Sequence, residues 1–408
     1  MIQRRSSGQG AQRISQIRGA NRALVLQTLR KFPQISRAEL ARRTGLSEGA
    51  VSRIAAELLQ ERFILEQGAE NSTGGRPGTR LELDQSYHRA IGVDIRHWET
   101  RVSLGTLQGR ILTTLRFRTP TSAKRTLDMV ANHVDKLREE MEGVLLHGVG
   151  VSVRGIVDPE RGMVEVGNSR QWDEAPVKAS LEDKLGLPVF VDNDVRAAAL
   201  AQFRSGSAEF QDSSCMLFIR VDEGVGMGIV MDGKIYRGIH QSAGEIGQMV
   251  VADSPGNGAQ DRPGCLESVA ANPAIFARYQ SLSQENRAVT GETESRVRKI
   301  CHLAMAGDKA AITAIRDCAR YLGIGIANVI WCMNADVVFI DGAITDAWPI
   351  VQDAIQEQFP SGHEFQHFRS LILRPSTLGQ DAGIAGALAL PFVNLFETGE
   401  SLGLSFGG

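Results

Sequence analysis

The sequence predicts an α/β protein in two parts, a winged helix-turn-helix head followed by a two-lobed body of mixed strands and helices. Three observations predict it. Three helical patterns and a pair of alternating strands follow one another within the first 86 residues. Charge divides at the same place: Lys and Arg outnumber Asp and Glu by 15 to 8 over residues 1–90, whereas the rest of the chain holds 30 basic and 39 acidic residues within a net charge of −2. Beyond the head, apolar strand patterns alternate with helical ones in two successive halves. A chain of 408 residues exceeds one ordinary domain. The expected division is a head over 1–86, a first lobe over 87–200 completed by 380–408, and a second lobe over 201–379.

The first helical pattern runs from about Ile14 to Lys31, with Ile17, Leu24 and Leu29 placed to supply a buried stripe, and Pro33 ends it. The second begins at Ser36. Ser36-Arg37-Ala38-Glu39 has the form of a capping box, in which the serine hydroxyl accepts an early backbone N–H and the glutamate reaches back. Gly45 stops that helix, and Ser47 is a good N-cap for a third that extends to about 62. A short helix, a tight turn at Thr44-Gly45-Leu46 and a following helix make the helix-turn-helix layout. On the third helix Val51, Ile54, Ala55, Leu58 and Leu59 share the core face, which leaves Glu48, Gly49, Ser52, Arg53 and Ala56 outward. Small residues at its start let the backbone approach a duplex. Ser47 and Ser52 can bond phosphate or base edges, and Arg53 reaches phosphate or guanine.

Ile64-Leu65-Glu66 and Arg80-Leu81-Glu82-Leu83 alternate on either side of a polar run from Gly68 to Gly78, which reads as a β-hairpin wing. Its tip carries Arg76, a candidate for a minor-groove or phosphate contact. Charge alone leaves a polyanion partner and a merely solvated basic face equally open. The agreement of cap, turn, helix, wing and charge selects double-stranded DNA over a helical protein-interaction module, with Ser47, Glu48, Gly49, Ser52, Arg53 and Arg76 as the contact set.

In the body, Arg89–Ile95 and Val102–Gly109 read as strand, turn and strand, and a helix follows at about 122–142. Val149–Val153 leads to Gly155–Asp158. Pro188–Val191 leads to Asp192-Asn193-Asp194 and an Ala-rich helix over 195–203. The second lobe opens with Cys215–Val221, passes through Gly224-Val225-Gly226-Met227-Gly228 and a hairpin at Asp232-Gly233, and continues as helix over much of 267–333. Val337–Ile340 meets Asp341-Gly342, and a last Ala-rich helix covers about 381–392. Two such halves imply a ligand cleft between α/β lobes.

Hydrophobic residues make up 42% of the chain and charged residues 23%, the balance of a globular protein. No apolar run approaches the length of a bilayer span, and no apolar stretch follows Arg4-Arg5, so neither membrane insertion nor a secretory leader is expected. The five cysteines are widely spaced and form no CxxC, which points to a reducing, cytoplasmic setting.

The run from Gly233 to Gln248, GKIYRGIHQSAGEIGQ, resembles the signature of the ROK family, named for repressors, open reading frames and kinases. Gly264-Cys265-Leu266-Glu267, Asn193-Asp194, Asn168 with Trp172, and Gly323-Ile324-Gly325-Ile326-Ala327-Asn328 are similar to other blocks of that family, in its order. The head resembles that of the family's xylose- and N-acetylglucosamine-responsive repressors. The resemblance implies an actin-like, ROK sugar-kinase fold for the body. It further implies that Asn193, Asp194, Glu245 and Glu267 bond sugar hydroxyls, with Asn168 near the rim. Asp194 matches the family's catalytic base, and a helix cap is its competing reading. Sugars need several fixed donors and acceptors, because every hydroxyl that leaves water must be re-paired.

The chain departs from the family at two sites. Where its kinases carry Gly-Gly-Thr-Lys after the first strand, this chain has Arg96-His97-Trp98-Glu99-Thr100, without a glycine and with a bulky indole and an acid. Val225 stands where a threonine hydroxyl is usual, and Asp341-Gly342-Ala343 replaces a glycine-rich segment. Phosphoryl transfer depends on positioning and electrostatics, so neither ATP binding nor catalysis is expected. The family's zinc is held by one His and three Cys. The matching positions here are Gln248, Gly258, Gln260 and Cys265, and one thiolate cannot hold the ion, so no metal site is expected. The Gln248 amide can replace the family histidine toward sugar. His97, His147 and His240 read as ordinary surface or satisfied groups. Trp98, Trp331 and Trp348 read as core, and Trp172 lies beside the implied cleft.

The implied function is a transcriptional repressor of carbohydrate uptake or catabolism, acting as a homodimer or homotetramer on a pseudo-palindromic operator under control of a sugar or sugar phosphate. Two alternatives stay open: an ATP-dependent sugar kinase with an added head, and a repressor answering to a protein partner.

Overall fold

The computed structural model describes residues 6–69, 79–139, 141–167, 169–205, 210, 213–253, 264–283, 292–362 and 365–400. Arg76, Asn168, Gly258 and Gln260 lie outside the described residues. The chain divides into two compact units, Met1–Ala197 with Gly383–Gly408, and Ala198–Ala382.

The head belongs to the first unit. It comprises α1 (Ser6–Lys31), β1 (Ile35–Ser36), α2 (Arg37–Thr44), α3 (Glu48–Gln60), β2 (Ile64–Ala69) and β3 (Thr79–Leu83). The three strands form an antiparallel sheet of order β1-β3-β2, with Ile35 opposite Leu81 and Ile64 opposite Leu83. The stripe predicted for α1 needs correction: Ile17 and Leu24 are exposed, and Ala23, Val25, Leu26 and Leu29 are buried. The reason is a second partner. The helix Val393–Thr398 packs along α1, with Gln27 donating to the Phe396 carbonyl and the Arg30 guanidinium 4.8 Å from the Phe396 ring. The head core is accordingly shared, since Leu26, Leu58 and Phe63 join Ile384, Leu388 and Phe396 in one apolar cluster.

The first lobe is built on β4 (His88–Ile95), β5 (Glu99–Thr106) and β6 (Ile111–Arg118), an antiparallel meander. It continues with α4 (Ala123–Arg138), β7 (Leu145–Val153), a hairpin of β8 (Gly155–Asp158) and β9 (Met163–Gly167), α5 (Val177–Leu185), β10 (Val189–Asn193) and α6 (Asp194–Ser205). The sheet order is β10-β7-β4-β5-β6, with β7 parallel to β4 and β10 parallel to β7. Leu127, Val130, Val134 and Leu181 from α4 and α5 bury one face against Ile91, Val93, Val149 and Val151. The helix Ala382–Ala389 covers the other face at backbone distance: a Cβ on Gly150 would overlap the Ala387 carbonyl oxygen, so that strand position accepts only glycine.

The second unit repeats the plan. Strands β11 (Cys215–Val221), β12 (Val225–Met231) and β13 (Lys234–Tyr236) are antiparallel, and β14 (Val337–Asp341) and β15 (Ile372–Pro375) add in parallel, giving the order β13-β12-β11-β14-β15. Between them lie α7 (Leu266–Ala270), α8 (Asn272–Leu282), α9 (Thr293–Met305) and the 25-residue α10 (Lys309–Met333). Their apolar faces bury Leu266, Ile275, Ile300, Leu322 and Ile326 against the sheet's Leu217, Ile219, Val338 and Ile340. Among the described residues no helix is long and apolar enough to cross a membrane.

Candidate functional site

The two helices of the head are set by their caps. Ser36 Oγ accepts the Glu39 N–H at 3.2 Å, Gly45 closes α2 in the left-handed conformation at φ 71°, and Ser47 Oγ accepts the Ala50 N–H at 3.3 Å. The predicted reciprocal arm of the capping box is not made. Ser36 belongs to the strand pairing with Arg80, and the Glu39 carboxylate turns to Arg42 and Arg43 instead. Those guanidiniums hold the Glu39 carboxyl below the usual carboxylate range, Arg42 first.

On α3 the burial pattern follows the sequence reading. Val51, Ile54, Ala55 and Leu58 are buried, Leu59 is half-buried, and Ser47, Glu48, Gly49, Ser52, Arg53 and Ala56 are exposed. Several head arginines are neutralised: Arg18 pairs with Glu57 at 2.7 Å, Arg37 with Glu66 at 2.6 Å, and Arg22 with Glu61. Arg53 has no carboxylate partner among the described residues and projects its charge from the exposed face of α3. An exposed helix face with two hydroxyls, a glycine and an uncompensated arginine suits the major groove.

The sugar-implied residues fall in two groups, one per unit. In the first, Asn193 ends β10 and caps α6: its Oδ1 accepts the N–H groups of Val195 at 2.9 Å and Arg196 at 3.1 Å, and its Nδ2 donates to the Gly155 carbonyl at 3.0 Å. The cap role weighed for Asp194 therefore belongs to Asn193. Asp194 is the first residue of α6 and is nearly buried. Beside them the buried pair Asp192–Arg196, at 2.8 Å, fixes the strand end.

In the second unit Glu245 and Gln248 are exposed at the two ends of a short turn, and Glu267 is half-buried in the first turn of α7. Gly247 lies against the Glu267 carboxylate, so all three residues gather around one turn. Glu267 Oε2 accepts the Val225 N–H at 3.1 Å and stands against Gly224. The Glu267 carboxylate thus sits on the Gly224-Val225 turn, and Arg96 to Trp98 make the corresponding turn of the first unit. At the described positions that the family resemblance gives to zinc, Cys265 is buried at the start of α7 and Gln248 offers no tetrahedral zinc ligand.

Of the two readings given to His147, surface or satisfied, the structure takes the second: it is buried with His88, which the sequence did not single out, and their Nε2 and Nδ1 atoms are 2.7 Å apart. His88 Nε2 faces the Glu61 carbonyl at 3.1 Å, which can only accept, so that nitrogen carries a proton. The neutral His88 ring then accepts at Nδ1 from His147 Nε2–H. Phe63 stacks on His88 at 3.8 Å and Phe392 packs on His147, so the pair joins the end of the head to the lobe. Burial pushes the His88 pKa down to about 4. Burial, and then the neighbouring His88, push that of His147 down to about 3. Trp98 and Trp331, expected in the core, are about half exposed, whereas Trp172 is buried.

Residues 90–392 match the ROK family, and residues 21–64 match a winged helix-turn-helix DNA-binding family. The chain is 27% identical over 375 residues to the xylose repressor of Bacillus subtilis (strain 168), covering 91% of this chain and 94% of that protein. It is 28% identical over 346 residues to the DNA-binding transcriptional dual regulator NagC of Escherichia coli (strain K12), covering 83% and 84%. Its structure is similar to that of a ROK family transcriptional regulator, a homolog of the E. coli MLC protein, with a TM-score of 0.76, 25% identity, and coverage of 94% and 98%.

Proposed function

Because the chain belongs to the ROK family and is a DNA-binding transcriptional regulator, we propose that it represses genes of carbohydrate uptake or breakdown, with a sugar or sugar phosphate setting its hold on the operator. The observation that carries the reading is the outward row of α3, where Ser47, Glu48, Gly49 and Ser52 precede an Arg53 that has no carboxylate partner among the described residues. In the major groove Arg53 reads guanine or holds phosphate, Glu48 accepts from a cytosine amino group, and the serines fix register on the backbone. Arg76 contributes a minor-groove or phosphate contact from the wing.

The ligand acts through Asp194, Glu245, Gln248 and Glu267, with Asn168 at the rim. Asn193 contributes chiefly by shaping the strand end. The head shares its core with the first lobe through the C-terminal helices, so a ligand that favours one arrangement of the lobe biases the head with it. A coupling of ~1–3 kcal/mol suffices for a regulatory response. The protein works in the cytoplasm as a symmetric homodimer or homotetramer on a two-fold operator, and uses neither ATP nor zinc.

The test is an electrophoretic mobility shift on the region upstream of its own gene, with and without a panel of sugars and sugar phosphates. Arg53→Ala is expected to weaken operator binding by about tenfold or more, ~1–3 kcal/mol, with an unchanged melting temperature. Indifference of the wild type to that DNA overturns the regulator reading at this operator. Operator binding that no sugar alters replaces the sugar with a protein partner.

A further inference from the structure

The first unit contains a cavity of about 550 Å³ that is lined by none of Asn193, Asp194, Glu245, Gln248 and Glu267. A volume of this size suits one small organic molecule. The buried part of its wall is Ile95, Val153 and Trp172, and Met129 adds a thioether. Trp98 faces it as well. His97 packs edge-on against that indole at 4.6 Å, and about half of Trp98 stays exposed. A sugar carries hydroxyls on every side, and each must be re-paired on leaving water. The only donors among these side chains are the two indole N–H groups. The body of a molecule that fits here is therefore apolar, and two indoles favour a flat ring, which they meet offset-stacked or edge-on.

Charge supplies the other half. Arg118 ends β6, Arg154 follows β7 and Arg125 lies in the first turn of α4; all three line the cavity, no acid lines it, and none of the three has a carboxylate partner among the described residues. The nearby acids are engaged elsewhere: Asp94 holds Arg96, Nε to Oδ2 2.6 Å, Glu99 turns to Arg101 at 3.4 Å, and Asp128 to Lys184 at 2.8 Å. Lys124 accompanies Arg125 in the first turn of α4, which holds no acid, so two cations sit at the positive end of a 16-residue helix. That placement costs stability, because the N-terminal turn favours anions. A local rule broken without compensation inside the chain marks a functional position. A carboxylate suits this wall better than a phosphate. It is planar, accepts two parallel N–H groups from one guanidinium, and as a monoanion loses less hydration against apolar side chains than a dianion does.

We propose that this cavity binds an aromatic carboxylate, with its ring against Trp98 and Trp172 and its carboxylate among Arg118, Arg125 and Arg154, as a second ligand of the regulator. The site shares no residue with the sugar-implied set, so the inference goes beyond the carbohydrate reading and does not depend on it.

Calorimetry on the full chain tests it, with no DNA present and with tryptophan emission as a second readout. The probes are phenylacetate and indole-3-acetate, the amide of each, and inorganic phosphate. An amide keeps the ring and the shape and removes only the charge. The wild type is expected to bind at least one acid about tenfold or more tighter than its amide, with a change in tryptophan emission. R118Q/R125Q, both at exposed positions, is expected to erase that preference at an unchanged melting temperature, and W98A to weaken acid and amide alike. R154Q repeats the charge test in case the double variant melts lower. Acids that bind no tighter than their amides overturn the site, and so do acids that bind the wild type and all the arginine variants equally. Inorganic phosphate that displaces the acids at equal concentration overturns the aromatic assignment in favour of a bare anion. None of these outcomes touches the operator shift or its answer to sugars, so this inference and the proposed function fail separately.

Discussion

The two five-stranded sheets have one topology and opposite fates at the turn after their first strand. In the first unit that turn, Arg96 to Trp98, opens onto a concavity whose lining includes Arg118, Arg125 and Arg154 beside apolar Ile95, Met129 and Val153. In the second, Asp222 to Gly224 is shut by protein groups: Glu267 takes the Val225 N–H, and Asn272 donates its own N–H to the Asp222 carbonyl at 2.8 Å. The second face of each sheet differs as well. Gly92, Gly105 and Gly150 let a helix lie directly on the first sheet, whereas β14 presents Phe339, edge-on to Phe210 at 5.3 Å, in the second. Shared topology therefore fixes where the turns come, and side-chain size and charge decide what surrounds each one.

The largest expected effect breaks the packing half of that comparison. Gly150→Val puts a branched side chain into the Ala387 carbonyl, where neither backbone can move without unseating the C-terminal helix from the sheet and the head. A loss of more than about 4 kcal/mol is expected in urea melts. A variant that melts like the wild type would show that the helix is not held at backbone distance.

The next effect separates the sheets at the other ends of their strands. The first unit has the buried His88–His147 pair there, whereas in the second the Asp336 carboxylate accepts from Ser213 at 2.6 Å and from the Cys215 N–H at 3.1 Å. The histidine pKa values fall from an ordinary 6.5 to about 4 and about 3, so the unfolded chain binds more protons than the folded one between those limits. The pair's contribution is complete above pH 6.5 and is lost as the pH falls from there toward 4, His88 alone costing on the order of 3 kcal/mol by that point. Stability measured from pH 8 to 4 is expected to drop steeply below 6.5. A His88→Phe/His147→Leu variant is expected to flatten the profile by up to two protons, and an unchanged slope would place the acid-labile groups elsewhere.

Glu267→Ala addresses the closed turn. It removes the acceptor of the Val225 N–H and leaves that group exposed to whatever reaches the turn. A cost of ~1–3 kcal/mol in thermal or urea melts is expected, with loss of ligand response in the operator assay. Glu267→Gln keeps an acceptor and restores most of the stability. If alanine and glutamine lose equally, the charge matters and the hydrogen bond does not.

Much of this was legible in the chain, and what was not has physical reasons. The face of α3 could be read because a helix buried on one side repeats its apolar residues every three or four positions. The stripe of α1 could not, because its second partner comes from the other end of the chain and buries residues that a single-partner helix leaves out. The cap fell to Asn193 because its side chain sits one residue before the helix, as an N-cap must, whereas Asp194 is already helical. His88 and His147 are 59 positions apart and meet only because β4 and β7 are neighbours. The arginine-lined cavity was illegible for the same reason. Arg118, Arg125 and Arg154 lie at a strand end, a helix start and another strand end, and only sheet order brings them together.

The smallest effect draws the sharpest line between the two turns. Arg125→Gln removes a cation that has no carboxylate partner among the described residues and that is exposed at the cavity, so no described ion pair is broken. In chloride buffer of low ionic strength its removal relieves repulsion from Arg118 and Arg154, and stability is expected to stay level or rise by about 0.5 kcal/mol or less. The gain is expected to vanish at 1 M salt, where the screening length shortens to about 3 Å. A loss in chloride would mean that Arg125 is paired after all, and the first turn would be as closed as the second.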